Sequence, residues 1–177
     1  MDNAFKNPNI LACCVLNETR LIELKDLSEE LDKRQKRLSD YLDAKRNIFP
    51  RFYFLSDEDL LSILGSSEPQ AVQPHMLKLF DNCKELKLNR RLVLGMESDE
   101  AEKFYFKEVQ KAEKPVEGWM GKIDEEMQST LKKITKEAIF VYANKERKQW
   151  VLENLGMVAI VGTQTWWTWR VNLDINI

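Results

Sequence analysis

Ile48-Phe49-Pro50-Arg51-Phe52-Tyr53-Phe54-Leu55-Ser56-Asp57-Glu58-Asp59 is the stretch on which the fold turns. Proline has no N–H to give a helix and pushes the residue before it toward extended geometry, so a helix arriving from the N-terminal side stops at Pro50. Ser56 offers a side-chain oxygen to the free N–H groups of a new helix. Asp57, Glu58 and Asp59 place negative charge in its first turn, where the helix dipole favours it. Phe49 to Leu55 is then a dense aromatic connector between two helices.

On the N-terminal side, one helical pattern runs from about Glu18 to Asn47. Leu24, Leu31 and Leu38 recur every seven residues, Leu27, Tyr41 and Ile48 fill the alternate seam positions, and Arg34 and Lys45 interrupt the seam. Glu29 with Lys33, Glu30 with Arg34 and Asp32 with Lys36 are acidic-before-basic pairs at the favourable helical spacing. The seam is short for an autonomous coiled coil, so packing against neighbouring helices is expected rather than dimerisation.

On the C-terminal side, Leu60, Leu61, Ile63 and Leu64 line a short helix that Gly65 stops, and Ser66 to Pro69 turn. A third helix is expected over Gln70–Cys83, with Val72, Met76, Leu79, Phe80 and Cys83 on one side and Pro74 near its start. From Glu85 to Val109 the period becomes two. Leu86 and Leu88, Leu92 and Leu94, then Phe104 and Phe106 alternate with polar residues around a charged turn at Ser98–Glu102, predicting a hairpin or three-stranded antiparallel ribbon. Lys111–Pro115 reads as a linker. A second long helix covers about Val116–Ala143, its buried stripe being Val116, Trp119, Met120, Ile123, Met127, Leu131, Ile134, Ala138 and Val141. Gly118 and Gly121 inside it suggest close helix packing, and Lys145–Asn154 continues as a shorter helix carrying Trp150. For Gly156–Val171 two readings stand. Val158, Ile160, Val161 and the threonines favour strand by propensity, while Met157, Ile160, Val161, Gln164, Trp167 and Val171 share a helical face.

With 177 residues, 44% hydrophobic and 32% charged, the chain has enough apolar material for a packed core, and 27 basic against 29 acidic groups leave a net charge of −2. That balance argues against a nucleic-acid binder, which needs a basic excess to displace counterions. The longest nearly uncharged run, Leu155–Trp169, falls short of the roughly 20 apolar residues of a membrane span. Met1–Asn9 lacks the pattern of a secretory signal, and Cys13, Cys14 and Cys83 have no CxxC spacing, so a reducing compartment is expected.

The motifs of catalysis are sparse. No GxxxxGK[ST] loop is present to cradle phosphates. His75 is the one histidine, and Cys83, about two helical turns away, is beyond its hydrogen-bond reach. Glu125 and Glu126 point in different directions and read as exposed charge. Trp166, Trp167 and Trp169 could stack a base, but with only Arg170 interleaved a buried packing role is expected. No catalytic, metal or cofactor residue is assigned.

The run Tyr41-Leu-Asp-Ala-Lys-Arg-Asn-Ile-Phe-Pro-Arg-Phe-Tyr-Phe-Leu-Ser-Asp-Glu-Asp-Leu-Leu-Ser-Ile-Leu-Gly65 resembles the signature of the linker region of dynein heavy chains. Val72-Gln-Pro-His-Met-Leu-Lys-Leu-Phe80, Leu92-Val-Leu-Gly-Met96, Trp119-Met120 and Gln164-Thr-Trp-Trp-Thr168 follow in family order, so the resemblance covers about Leu31–Val171. Ile63-Leu-Gly-Ser-Ser67, Ile134-Thr-Lys-Glu-Ala-Ile-Phe140 and Asn154-Leu-Gly-Met157 look most like axonemal outer-arm heavy chains of the gamma class. Two positions depart from the pattern: Ala101 where the hairpin turn has Gly, and Arg170 where an acidic residue follows the tryptophans.

The resemblance implies a mainly α fold: a helical bundle with two long helices, several short ones and a small antiparallel β-hairpin, helical over about 17–83 and 116–171 with the hairpin at 85–109. It favours helix for Gly156–Val171. It implies that residues 1–177 form the C-terminal half of a linker, ending about where the first AAA+ module would begin. The implied job is a non-catalytic lever, coupling ATP-driven changes in the AAA+ ring to movement along microtubules. ATP and Mg would belong to that ring, with none bound by this segment. The ring of the same heavy chain would be its partner, with other dynein chains and microtubules reached through the whole motor, and with no nucleic acid or membrane. An axoneme of a cilium or flagellum is the implied residence, the cytoplasm the alternative. On this reading Phe49, Pro50, Arg51, Phe52, Tyr53 and Phe54 form the packing node after the first long helix, with Arg51 satisfying carbonyls or a carboxylate. Trp119 opens the second long helix, and Trp166 and Trp167 anchor the end nearest the ring. The rival reading is an independent helical scaffold or adaptor that binds a partner helix through Leu24–Leu38.

Overall fold

The computed structural model describes residues 5–6, 8–9 and 19–175. Cys13, Cys14, Asn17 and Glu18 lie outside the described residues. The chain divides into two compact units, Met1–Ala44 and Lys45–Ile177.

Most of helix α1 (Arg20–Ile48) belongs to the first unit. Its acidic-before-basic pairs form, Glu30 with Arg34 at 3.1 Å and Glu29 with Lys33 at 3.7 Å. Among the described residues the leucine seam is not buried as expected: Leu24, Leu27, Leu31, Leu38 and Tyr41 are between 43% and 67% exposed. Periodicity reports that a helix has an apolar face. It does not report what lies against that face.

In the second unit, Pro50–Phe54 forms a 3-10 helix with Pro50 in its first turn. Ser56 caps α2 (Asp57–Gly65), its hydroxyl oxygen accepting the Asp59 N–H at 3.1 Å. The third helix expected over Gln70–Cys83 is instead a 3-10 helix, Pro69–His75, followed by the single turn α3 (Met76–Leu79). Pro74 removes an N–H and crowds the preceding turn, which blocks a continuous α-helix. Val72, Met76, Leu79, Phe80 and Cys83 are nevertheless all buried.

Strands β1 (Glu85–Asn89), β2 (Leu92–Glu97) and β3 (Lys103–Lys111) pair antiparallel in that order, β3 absorbing the first residue of the expected linker. Leu86, Phe104 and Phe106 are buried as the alternation predicts. On β2, however, Val93 and Met96 are buried while Leu92 is exposed. Register shifts at Lys87/Leu88 and Val93/Gly95 are the cause, because one irregularity reverses which face each later side chain takes. Gly95 crosses β3 so closely that a Cβ there would sit 2.2 Å from the Phe104 carbonyl oxygen. In the Ser98–Glu102 turn, Ala101 adopts φ 63°, the left-handed conformation that glycine tolerates best.

α4 (Val116–Tyr142) packs on β3 and on α6 (Gly156–Ile175), with α5 (Arg147–Glu153) between α4 and α6 in the chain. Val116, Trp119, Met120, Ile123, Met127 and Ala138 are buried, whereas Leu131, Ile134 and Val141 are half-buried. Gly118 and Gly121 permit no close helix packing, since a Cβ at Gly121 would meet nothing within 4 Å and one at Gly118 only the Pro115 ring. The Gly156–Val171 ambiguity resolves as helix. Among the described residues, no helix is long and apolar enough to cross a membrane.

Candidate functional site

The aromatic connector splits into an inner and an outer half. Its three-residue turn sends Phe49 and Phe52 inward, their rings edge-to-face at 4.9 Å, with Phe80 6.4 Å from Phe49. Phe52 is 0% exposed, whereas Phe54 is 68% exposed and Tyr53 also faces solvent. The packing role assigned to the whole run is therefore carried by Phe49 and Phe52. A 3-10 helix repeats every three residues, so Phe49, Phe52 and Leu55 share the inner side, and Leu55 is buried as well.

Arg51 ties three elements together. Its guanidinium donates to the Leu79 carbonyl at 3.1 Å and to the Asp124 carboxylate at 3.2 Å, and it lies 4.5 Å from the centre of the Phe80 ring. The planar fork makes these contacts together, which a lysine could not. Arg46, near the end of α1, donates to the Leu55 carbonyl at 3.2 Å and to Asp57 at 2.7 Å. Lys45 pairs with Glu117, whose side chain is almost fully buried at the start of α4. Removing one member of such a pair strands the other charge, a change that costs far more than a surface pair does.

Around this node other side chains hold β-strand backbone. The Gln73 amide both donates to the Leu86 carbonyl (2.7 Å) and accepts its N–H (2.9 Å), acting as a short extra strand on β1. Where β3 departs from register, Thr130 accepts the Lys107 N–H at 3.2 Å and Glu126 accepts that of Glu108 at 3.1 Å. Asp59 sits below the usual carboxylate range, chiefly through its hydrogen bond with Lys78.

A second cluster joins α4, α5 and α6. Trp150 is 1% exposed, donates its indole N–H to the Ala138 carbonyl at 2.8 Å and meets Tyr142 edge-to-face at 4.9 Å. Gly162 leaves room for it, since a Cβ there would lie 2.7 Å from the Trp150 ring. Trp166 stacks on Tyr142 at 5.4 Å and donates to the Ile139 carbonyl at 2.9 Å. The buried role expected of the final tryptophans fails for Trp167, 68% exposed, and for Trp169, also exposed. On α6 the buried side is Val158 and Ala159, with Trp166 partly covered, and Trp167 points away from it. Trp119 is buried near the start of α4.

Lys45–Glu117, Gln73, Glu126 with Thr130, and Trp150 were missed as site residues. Lys45 carried a signal, a charge in an apolar seam. The others read as ordinary surface or core until long-range pairing put them together. Cys83 is buried, and burial pushes its thiol up to about 12, so it holds no ready nucleophile. Among the described residues no three His, Cys, Asp or Glu side chains gather as metal ligands would. The arrangement ties the end of α1 to α3 and α4 through cross-element bonds.

The family described as "Dynein heavy chain, N-terminal region 2" matches residues 1–138. The chain is 53% identical over 172 residues, 96% of its length, to the dynein-1-alpha heavy chain of the flagellar inner arm I1 complex of Chlamydomonas reinhardtii. It is 48% identical over 97% of its length to human dynein axonemal heavy chain 10, and 37% identical over 96% to the ciliary dynein beta chain of Heliocidaris crassispina. It spans about 4% of the length of each of these relatives. The chain belongs to the dynein heavy chain family and lies in its N-terminal region.

Proposed function

We propose that this chain is a mechanical linker segment, a lever that couples ATP-driven changes in the AAA+ ring of a dynein heavy chain to movement along microtubules. The observation that carries the reading is the Arg51 node. One guanidinium, a partly buried Lys45–Glu117 pair and the Phe49–Phe52–Phe80 cluster lock the end of α1 to α3 and α4. A lever must pass force without continuous deformation, and a close-packed core with cross-element bonds meets that need. ATP and Mg would be held by the ring and not by this segment. Trp166, pinned to α4, and Trp167, turned outward, would anchor the end nearest the ring. The axonemal, flagellar and ciliary names of the relatives support work in the axoneme of a cilium or flagellum. Identity of 53% to an inner-arm I1 chain favours that side of the family over the gamma-class outer arm that the short motifs suggest.

The test is Arg51→Ala combined with Phe52→Ala in a full-length heavy chain. ATP turnover is expected to persist while microtubule gliding slows several-fold. Equal loss of both, or of neither, would refute a lever. A second reading, a helical scaffold binding a partner helix, is favoured by one observation, the uncovered seam of α1.

A further inference from the structure

We propose that Glu102 is a clasp between the sheet and α6. Its carboxylate caps the first residue of that helix and fixes the helix's direction, and opening the clasp lets α6 pivot about Trp166 while the sheet stays folded. The inference goes beyond the lever reading and does not depend on it.

The N-terminus of α6 has no cap of its own. Leu155 stands at the capping position, its carbonyl accepting the Ala159 N–H at 2.8 Å, but a hydrocarbon side chain offers nothing to the free N–H groups of the first turn. That turn contains no acidic residue to meet the positive end of the helix dipole. The two polar residues before Leu155 are committed to α5. The Asn154 amide donates to the Trp150 carbonyl at 2.7 Å, and the Glu153 carboxylate accepts from Gln149 at 2.8 Å and from Lys145. Glu102, 54 residues before Gly156, fills the gap by accepting the Gly156 N–H at 2.7 Å. A side chain at position 156 would crowd it, since a Cβ there would lie 3.1 Å from the same carboxylate oxygen.

The turn that carries Glu102 holds it in one place. The Glu102 N–H donates to the Ser98 hydroxyl at 3.1 Å, its carbonyl accepts the Ser98 N–H at 2.8 Å, and Ser98 is 1% exposed. The backbone under the carboxylate is therefore an integral part of the β2–β3 hairpin. Further along α6, Trp166 donates to the Ile139 carbonyl of α4. Ten residues separate Gly156 from Trp166, about 15 Å of helix. Two fixed points along a rod set its direction, whereas one leaves it free to turn. The sheet and α6 both pack on α4, so the Glu102 bond closes a frame of three elements, and a closed triangle keeps its angles where an open one does not.

Hydrogen exchange and paired spin labels on the whole chain test this. In Glu102→Ala, exchange of the Met157 and Val158 amides should rise about fivefold, with the amides of β2 unchanged. Glu102→Gln keeps the shape and an acceptor oxygen and should give a smaller rise. For the pivot, Cys13 and Cys14 are replaced by serine and labels are placed through Tyr105→Cys and Ile160→Cys, at exposed positions on β3 and α6, while buried Cys83 stays unlabelled. Their distance distribution should be narrow with Glu102 in place and should broaden in Glu102→Ala. Adding Gly156→Asp to Glu102→Ala gives α6 a negative end of its own; it should restore slow exchange and leave the distances broad. Unchanged exchange in Glu102→Ala, an equal rise across β2, or distances that do not broaden would overturn the proposal. Narrow distances regained with Gly156→Asp would overturn it as well, because any negative charge at the helix start would then do what the clasp does.

Discussion

Phe52→Ala and Phe54→Ala form a matched pair: the same change, two residues apart in one 3-10 helix, with exposures of 0% and 68%. A buried phenylalanine hides about 150 Å² or more, which at about 25 cal/mol per Å² is worth roughly 4 kcal/mol. Part of the cavity is refilled by neighbours, and the edge contact with Phe49 at 4.9 Å is lost, contributions of about 1 kcal/mol in opposite directions. The expected destabilisation is therefore about 4 kcal/mol for Phe52→Ala and below about 0.5 kcal/mol for Phe54→Ala. Urea titration followed by circular dichroism measures both, with the denaturant slope checked for change. Thermal midpoints should fall by roughly 12 °C and by little, respectively. If Phe52→Ala costs under about 1 kcal/mol, or Phe54→Ala matches it, the division of the connector into inner and outer halves is wrong.

Ala101→Gly should stabilise the chain by about 1 kcal/mol, because φ 63° strains an alanine and suits glycine; a lower melting temperature would contradict this. Gly95→Ala should disrupt the sheet, since the new methyl would meet the backbone at 2.2 Å; an unchanged thermal midpoint would show that β2 and β3 do not cross so closely. Trp150→Ala should cost about 3 to 5 kcal/mol and Trp167→Ala little, read by the same denaturant titration; equal losses would disprove the placement of the two rings. Cys83, with Cys13 and Cys14 replaced by serine, should resist alkylation until the chain unfolds. Its raised thiol contributes stability in full below about pH 9, lost as pH climbs toward about 12, and rapid labelling of the native chain at pH 8 would refute its burial.

Local chemistry was readable wherever a residue acts on its own backbone neighbourhood. Pro50 ended α1, Ser56 capped α2, and the spacing of Val116, Trp119, Met120, Ile123 and Met127 marked the buried side of α4. Even in the misread Gln70–Cys83 segment the buried side chains were named correctly, because an apolar pattern survives the change from α to 3-10 better than the helix type does. The same kind of reasoning failed on β2, where the register shift at Val93/Gly95, set by pairing with β3, decides which side each residue takes.

Taken by itself, the order of amino acids determined that this is a mainly helical chain with a small antiparallel sheet, a proline-broken first helix and the family to which it belongs. Helix stops, caps and periodicities act over a few residues, so they are written where they operate. Tertiary structure alone decided that Phe52 and Trp150 carry the packing while Phe54 and Trp167 do not, and that Arg51 reaches Leu79 and Asp124. It also decided that Lys45 meets Glu117 and that the leucine seam stays uncovered. Burial and ion pairing depend on groups distant along the chain, and only folding brings those groups within range of one another.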